Sequence, residues 1–271
     1  MAHSNHSTES SETNYKNHRP PKVKKISDKM VKIYVWELPV RIFHWLNAGA
    51  ILTLILTGIY IGNPFFASIV QEDAESFIMG WVRYIHFFAA FLFALNLAIR
   101  LYWAFTGNKY ATSNILRKSF WKDTWETVKF YIFLKNKKPH FVGHNPLAQL
   151  SYWAIIGGGS IIMIFTGFYM YIEPQPESFW GMMFGWVSIF GDSFEIRSLH
   201  HLVTWVFIIF TVVHIYLSIR EDYLEKNGTM SSIFTGYKTE PKETLGEQLE
   251  KELTEDDNAG DDQTEDYNDK K

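Results

Sequence analysis

The chain has 271 residues, 47% of them hydrophobic and 17% aromatic, and no cysteine. Disulfides, thiolate-held iron–sulfur clusters and C-x-x-C-H haem attachment are therefore excluded, and any metal chemistry falls to the ten histidines, to carboxylates or to a bound cofactor. The net charge of −3 hides an asymmetry: residues 238–271 hold 13 of the 29 acidic side chains against five lysines, leaving 21 basic and 16 acidic groups elsewhere, a net +5.

Residues 1–30 are rich in Ser, His, Asn and Lys and lack the apolar core of a signal peptide. They read as a disordered N-terminal extension. Residues 238–271 read as a disordered acidic tail. Between them, residues 31–237 read as one membrane domain containing four apolar runs, at 40–61, 81–105, 147–172 and 199–219. Each reaches the ~20 residues that a helix needs to cross a ~30 Å hydrocarbon layer. Backbone polar groups in lipid must pair within the protein, so four transmembrane helices are expected. Pro39 suits a first helical turn, and Pro64 and Pro174 suit helix ends.

Charge sets the expected orientation. Six basic residues between Lys22 and Arg41 precede the first run, and eight between Lys109 and Lys138 fill the second connection. The first connection instead holds Glu72, Asp73 and Glu75, and the third holds Glu173, Glu177, Asp192 and Glu195. The positive-inside rule places both termini and the middle connection in the cytoplasm of a multi-pass cell-membrane protein. Within that connection, Trp121, Trp125, Val128 and Ile132 recur at helical spacing with lysines between them, the pattern of an amphipathic helix on the inner membrane surface.

Ionisable residues inside membrane helices are functional candidates. His44 lies near the inner start of the first run, His86 near the outer start of the second, His200 near the outer start of the fourth, and His214 near its inner end. Fourteen residues of helix separate His200 from His214, about 40° short of four full turns and ~21 Å of rise, so the two share a face at two depths. His201 falls ~140° away from His214 on the same arithmetic. Depth pairs His86 with His200 and His44 with His214. Two bis-imidazole sites stacked in a four-helix bundle are what two b-type haems require. The bland alternative is four histidines bonded to neighbouring helices.

"RIFH", "RYIH" and "RSLH" put Arg41, Arg83 and Arg197 three residues before His44, His86 and His200. At i, i+3 each Arg lies beside its His, where a guanidinium could clamp a haem propionate. For Arg41, positive-inside bias is an equal explanation. His140, His144 and Asn145 precede the third run, either as an interfacial cap or as a quinone pocket in which His144 or Asn145 bonds a quinone oxygen. "LTGIY" and "FTGFY" recur in the first and third runs, where Gly58 and Gly167 either admit a porphyrin edge or, the chief reading, let helices approach closely.

The stretches "YVWELPVRIFHWLNAGAILTLILTGIYIGNP", "RYIHFFAAFLFALNLAIRLYWAFTGNKYA", "HFVGHNPLAQLSYWA" and "LHHLVTWVFIIFTVVHIYLSIREDYLEKNGTMSSIFTGYK" resemble the b-type cytochrome subunit of membrane-bound nickel–iron uptake hydrogenases, from about Lys32 to Lys238. The resemblance implies an all-α integral membrane four-helix bundle with two b-type haems and disordered polar ends. It implies an electron-transfer subunit rather than the hydrogenase catalytic subunit. Electrons would come from the iron–sulfur small subunit, and through it the large subunit, and pass to menaquinone or ubiquinone. Similarity to formate dehydrogenase cytochrome subunits supports the same histidine pairing and places Asn145 near the quinone. The competing expectations are a formate dehydrogenase or thiosulfate reductase cytochrome subunit and a haem-free membrane anchor. Nothing points to nucleic acid.

Overall fold

A computed structural model describes residues 22–64, 72–107, 110, 118–136, 141 and 145–246. Among the described residues, four helices are long and apolar enough to cross a membrane, as the apolar runs predict. α1 (Leu38–Gly62) opens on Leu38 and Pro39, whose missing N–H falls where no intrahelical partner exists. α2 spans Glu72–Thr106. α3 (Lys118–Tyr131) is the short helix of the middle connection. α4 (Pro146–Ile172) is the third span, and α5 (Phe179–Phe190) is a short apolar helix after it. α6 (Ser193–Glu225) is the fourth span, followed by α7 (Thr229–Thr235).

Two spans overrun their apolar runs. α2 begins at Glu72, before the run at 81, and α6 begins at Ser193 and ends at Glu225. Hydropathy marks only the part of a helix that lipid can cover. The 33 residues of α6 rise about 50 Å, well beyond a ~30 Å hydrocarbon layer. A capping box fixes its start. Asp192 Oδ1 accepts from the Phe194 and Glu195 amides at 2.8 and 3.0 Å, and Glu195 Oε2 accepts from the Asp192 amide at 3.0 Å. α4 is irregular: Tyr152–Gly158 winds as a π-helix between two α-helical parts. Such wide turns cluster at functional sites.

A three-stranded antiparallel sheet caps one end of the bundle: β1 (Val23–Lys25), β2 (Met30–Tyr34) and β3 (Tyr237–Pro241), in the order β1-β2-β3. It corrects the expected boundaries of the polar ends. Residues 23–30, assigned to the extension, and 238–241, assigned to the acidic tail, are ordered in this sheet. The reason is period-two burial: Val31 and Ile33 face inward from β2, and Lys238 and Glu240 from β3. Asn227 Nδ2 donates to Glu240 Oε1 at 3.1 Å, which partners the buried carboxyl. Val31, Ile33, Val35 and Trp36 form a small core beneath the sheet, and the Trp36 indole donates to Ser232 Oγ at 3.0 Å. Gly236, at φ +86°, turns the chain from α7 into β3, and its carbonyl accepts from the Val35 and Trp36 amides. A Cβ there would strike the Tyr34 ring and the Trp36 carbonyl.

α3 buries Phe120, Thr124 and Thr127 and leaves Trp121 and Trp125 exposed, as a helix lying on a membrane surface requires. Lys135 and Lys129 both reach Glu126, and their hydrogen bonds hold its carboxyl down to about 2. The expected helical stripe stops one residue short: Ile132 lies past the end of α3.

Candidate functional site

The four candidate histidines occupy the spans in two levels. His44, early in α1, and His214, late in α6, lie toward the sheet end. Their ring centres are 6.3 Å apart and tilted by 49°. Two imidazoles sharing one metal at about 2 Å each, with the ring radii added, come to a similar separation. Phe210, one turn before His214, stacks on its ring at 5.7 Å and 8°. The Tyr152 hydroxyl, at the start of the π-helical turn, sits 3.3 Å from His214 Nδ1. His44 Nδ1 is buried and has no hydrogen-bond partner among the described residues.

His86 on α2 and His200 on α6 lie toward the other end of the spans. Each is held by a threonine of a neighbouring span. Thr57 Oγ1 on α1 is 2.8 Å from His86 Nδ1, and Thr166 Oγ1 on α4 is 2.7 Å from His200 Nδ1. Each threonine also donates its own hydroxyl proton one turn back, Thr57 to the Thr53 carbonyl at 2.6 Å and Thr166 to the Ile162 carbonyl at 2.7 Å. A hydroxyl has one proton, so toward each imidazole the threonine oxygen can only accept. Nδ1 must carry the hydrogen, and Nε2 is left with its lone pair.

The glycine beside each threonine completes the cradle. A Cβ on Gly58 would sit 3.3 Å from His86 Cε1, and one on Gly167 would sit 3.4 Å from His200 Cε1. The repeated Thr-Gly pair therefore gives an imidazole both a partner and room. The close approach expected at Gly58 and Gly167 is to a histidine ring rather than to a helix backbone. The Thr-Gly repeat marks Thr57 and Thr166 in the sequence but not the histidine each meets, because a threonine in a span is ordinarily satisfied by its own helix, and Tyr152 carries no signal at all. His201 turns to α1 instead, where a Cβ on Gly62 would collide with its ring.

Between the two levels lies an apolar layer, Ala50, Phe93, Val203 and Phe207. Phe207 is seven residues from both His200 and His214, roughly 10 Å along the helix from each. Asn96 borders the sheet-end level, donating to the Phe43 carbonyl at 3.1 Å and to Asn47 Oδ1 at 3.4 Å.

The arginines differ. Arg41 Nη1 donates to the Phe234 carbonyl and so ties α1 to α7, while its buried Nε has no partner among the described residues. Arg83 is exposed. Arg197 Nη2 pairs with Glu173 Oε2 at 3.0 Å, and its Nε donates to Ser193 Oγ at 3.2 Å. Asn145 caps α4, its side chain accepting from the Leu147 amide at 2.9 Å. His140 and His144 lie outside the described residues. The donor set suits a haem iron at each level: paired half-buried imidazoles, with Nε2 left free to ligate at His86 and His200.

Residues 35–236 match the model of the family described as prokaryotic cytochrome b561. The chain is 36% identical over 216 residues to a protein of Azotobacter vinelandii named "Probable Ni/Fe-hydrogenase B-type cytochrome subunit", covering 78% of this chain and 90% of that one. A protein of the same name from Rhizobium leguminosarum bv. viciae is 41% identical over 210 residues, 75% of this chain and 87% of the relative. A "Probable Ni/Fe-hydrogenase 1 B-type cytochrome subunit" of Escherichia coli K12 is 36% identical over 223 residues, 79% and 93% of the two chains. The family match takes in all four spans and all four histidines, and this chain belongs to the prokaryotic cytochrome b561 family.

Proposed function

We propose that this chain is the membrane cytochrome subunit of a nickel–iron hydrogenase and carries electrons from the hydrogenase small subunit to quinone through two b-type haems. The observation that carries the reading is the approach of the His44 and His214 rings to 6.3 Å, with His86 and His200 each held by a threonine of a neighbouring span, in a chain whose relatives bear hydrogenase cytochrome names. Those names favour a hydrogenase donor over formate dehydrogenase or thiosulfate reductase, and the cradled imidazoles favour a cytochrome over a haem-free anchor.

Bound haem iron supplies a one-electron couple at each level. His86 and His200 would ligate the first, with Thr57 and Thr166 holding their Nε2 atoms available. His44 and His214 would ligate the second, with Phe210 stacked on His214 to fix its plane. Arg83 and Arg197 are proposed to pair with propionates at the first level and Arg41 at the second. For Arg197 this means exchanging Glu173 for a ligand carboxylate.

With both termini cytoplasmic, the level of His86 and His200 is the outer one. An electron moved inward travels toward the negative side, against a field worth about 2.3 kcal/mol per 100 mV for a full crossing. Hydrogen is reducing enough to drive it. The quinone, menaquinone or ubiquinone, is proposed to bind near His44 and His214, beside the start of α4, where His144 and Asn145 lie in sequence. Protons for its reduction would then enter from the cytoplasm.

The test is anaerobic addition of hydrogen to the purified complex while haem absorbance is followed. Rapid reduction of b-type bands supports the reading. A chain that carries no b-type spectrum, or bands that hydrogen cannot reduce with the hydrogenase active, would overturn it.

A further inference from the structure

We propose that Thr57 and Thr166 set the redox order of the two levels, holding the outer iron at a lower midpoint potential than the inner one so that electrons run inward. The inference rests on the histidine ligation proposed above and goes beyond it.

The two levels differ in what the far side of each imidazole meets. At the outer level both Nδ1–H groups donate to a threonine oxygen, at 2.8 Å for His86 and 2.7 Å for His200. Both threonine oxygens are oriented by their own donation to a carbonyl one turn back. At the inner level His44 Nδ1 has no partner among the described residues, and His214 Nδ1 has the Tyr152 hydroxyl at a longer 3.3 Å. The acceptors are therefore good on one side of the bundle and poor or missing on the other.

An acceptor on Nδ1–H draws that proton outward and leaves more electron density on the ring, so Nε2 becomes a stronger donor. A stronger donor favours the more oxidised, more positive iron and lowers its potential. In a low-dielectric interior the effect of each hydrogen bond is larger than in water. Two such bonds act at the outer level. The electron given up by the outer iron is the one gained by the inner iron, with no bond made or broken. The step is then downhill in chemical potential, which opposes the electrical cost of moving charge toward the negative face. The Thr-Gly repeat places the same pair of residues against both outer ligands and neither inner one.

The experiment uses the full hydrogenase complex with Thr57→Val, Thr166→Val, the double variant and the Thr→Ser counterparts. Midpoint potentials of both b-type haems are measured spectroelectrochemically, alongside haem content. His200→Ala and His214→Ala assign each potential to its level. The expected result is a lower outer potential in the unsubstituted protein, raised by each valine and further by the double variant. The inner potential stays put, haem content stays at two, and serine restores the original value. Valine matches threonine in shape, so a purely structural role would leave the potentials alone. If a valine variant fails to assemble, Thr→Ala is read in its place. Unchanged potentials at full haem content, equal shifts at both levels, a serine that behaves like valine, or an outer potential above the inner would overturn the proposal. Loss of no haem in His200→Ala would instead sink the ligation reading on which it stands.

Discussion

Arg197 and Glu173 join the ends of α6 and α4 nearest His200, with the guanidinium Nη2 donating to the carboxylate at 3.0 Å. The arginine side chain is 60% exposed, and exposed ion pairs contribute about 0–1 kcal/mol. The pair is thus a weak holding contact, which a haem propionate would displace under the proposed ligation. Glu173→Gln should cost less than about 1 kcal/mol and leave both haem spectra intact. Arg197→Leu should alter the potential or occupancy of the outer haem and spare the inner one. Redox difference spectra of the two variants check this, and equal disturbance of both haems by Arg197→Leu would point to misfolding.

The glycines of the cradle make a steric prediction. Because a Cβ at Gly58 or Gly167 already reaches within 3.3–3.4 Å of an imidazole carbon, a branched side chain must push the ring aside. Gly58→Val and Gly167→Val should each lower haem content from two per chain to one, with the inner haem retained. Haem extracted from the purified variants gives the count. Retention of both haems would mean that the rings can be displaced without losing the metal.

Asn96 makes a prediction about stability. Its amide links α2 to the Phe43 carbonyl, but its buried Oδ1 has no partner among the described residues. Side-chain hydrogen bonds between membrane helices average about 0.6 kcal/mol, and Asn96→Leu also removes the unsatisfied oxygen. It should therefore change stability by less than roughly 1 kcal/mol. Asn96→Asp should cost more, because it places a carboxyl inside the span, where desolvation is expensive even with Arg100 one turn along the same helix. Unfolding curves in mixed micelles would separate the two; equal losses would show that the position tolerates charge through water.

The orientation can be checked without purification. A reporter fused at Lys271 should be active only in the cytoplasm, and one inserted after Gln175, between α4 and α5, only outside. The reverse pattern would invert the electron path.

Much of this arrangement is legible in the sequence, for identifiable reasons. The spans are visible because lipid requires about 20 apolar residues in a row, and the shared face of His200 and His214 follows from helical geometry. The threonine partners of His86 and His200 are hidden because the contacts cross from α1 to α2 and from α4 to α6, and the Thr-Gly repeat marks Thr57 and Thr166 without naming the ring each one meets. The sheet is hidden for a different reason. β2 and β3 pair Tyr34 with Tyr237 across some 200 residues, and Lys238 and Glu240 read as the start of an acidic tail although they point inward. The π-helical turn at Tyr152–Gly158 has no period that separates it from an ordinary apolar helix.

The central claim is the pairing itself, and haem stoichiometry in double variants tests it most directly. His86→Ala, His200→Ala and the two combined should each leave one haem per chain, and so should His44→Ala, His214→Ala and their combination. His86→Ala combined with His44→Ala should leave none. Helix content and membrane insertion, measured alongside, confirm that each variant folds. If His86→Ala with His200→Ala removes both haems from a folded chain, or His86→Ala with His44→Ala removes only one, the histidines are paired otherwise and the two-level account is wrong.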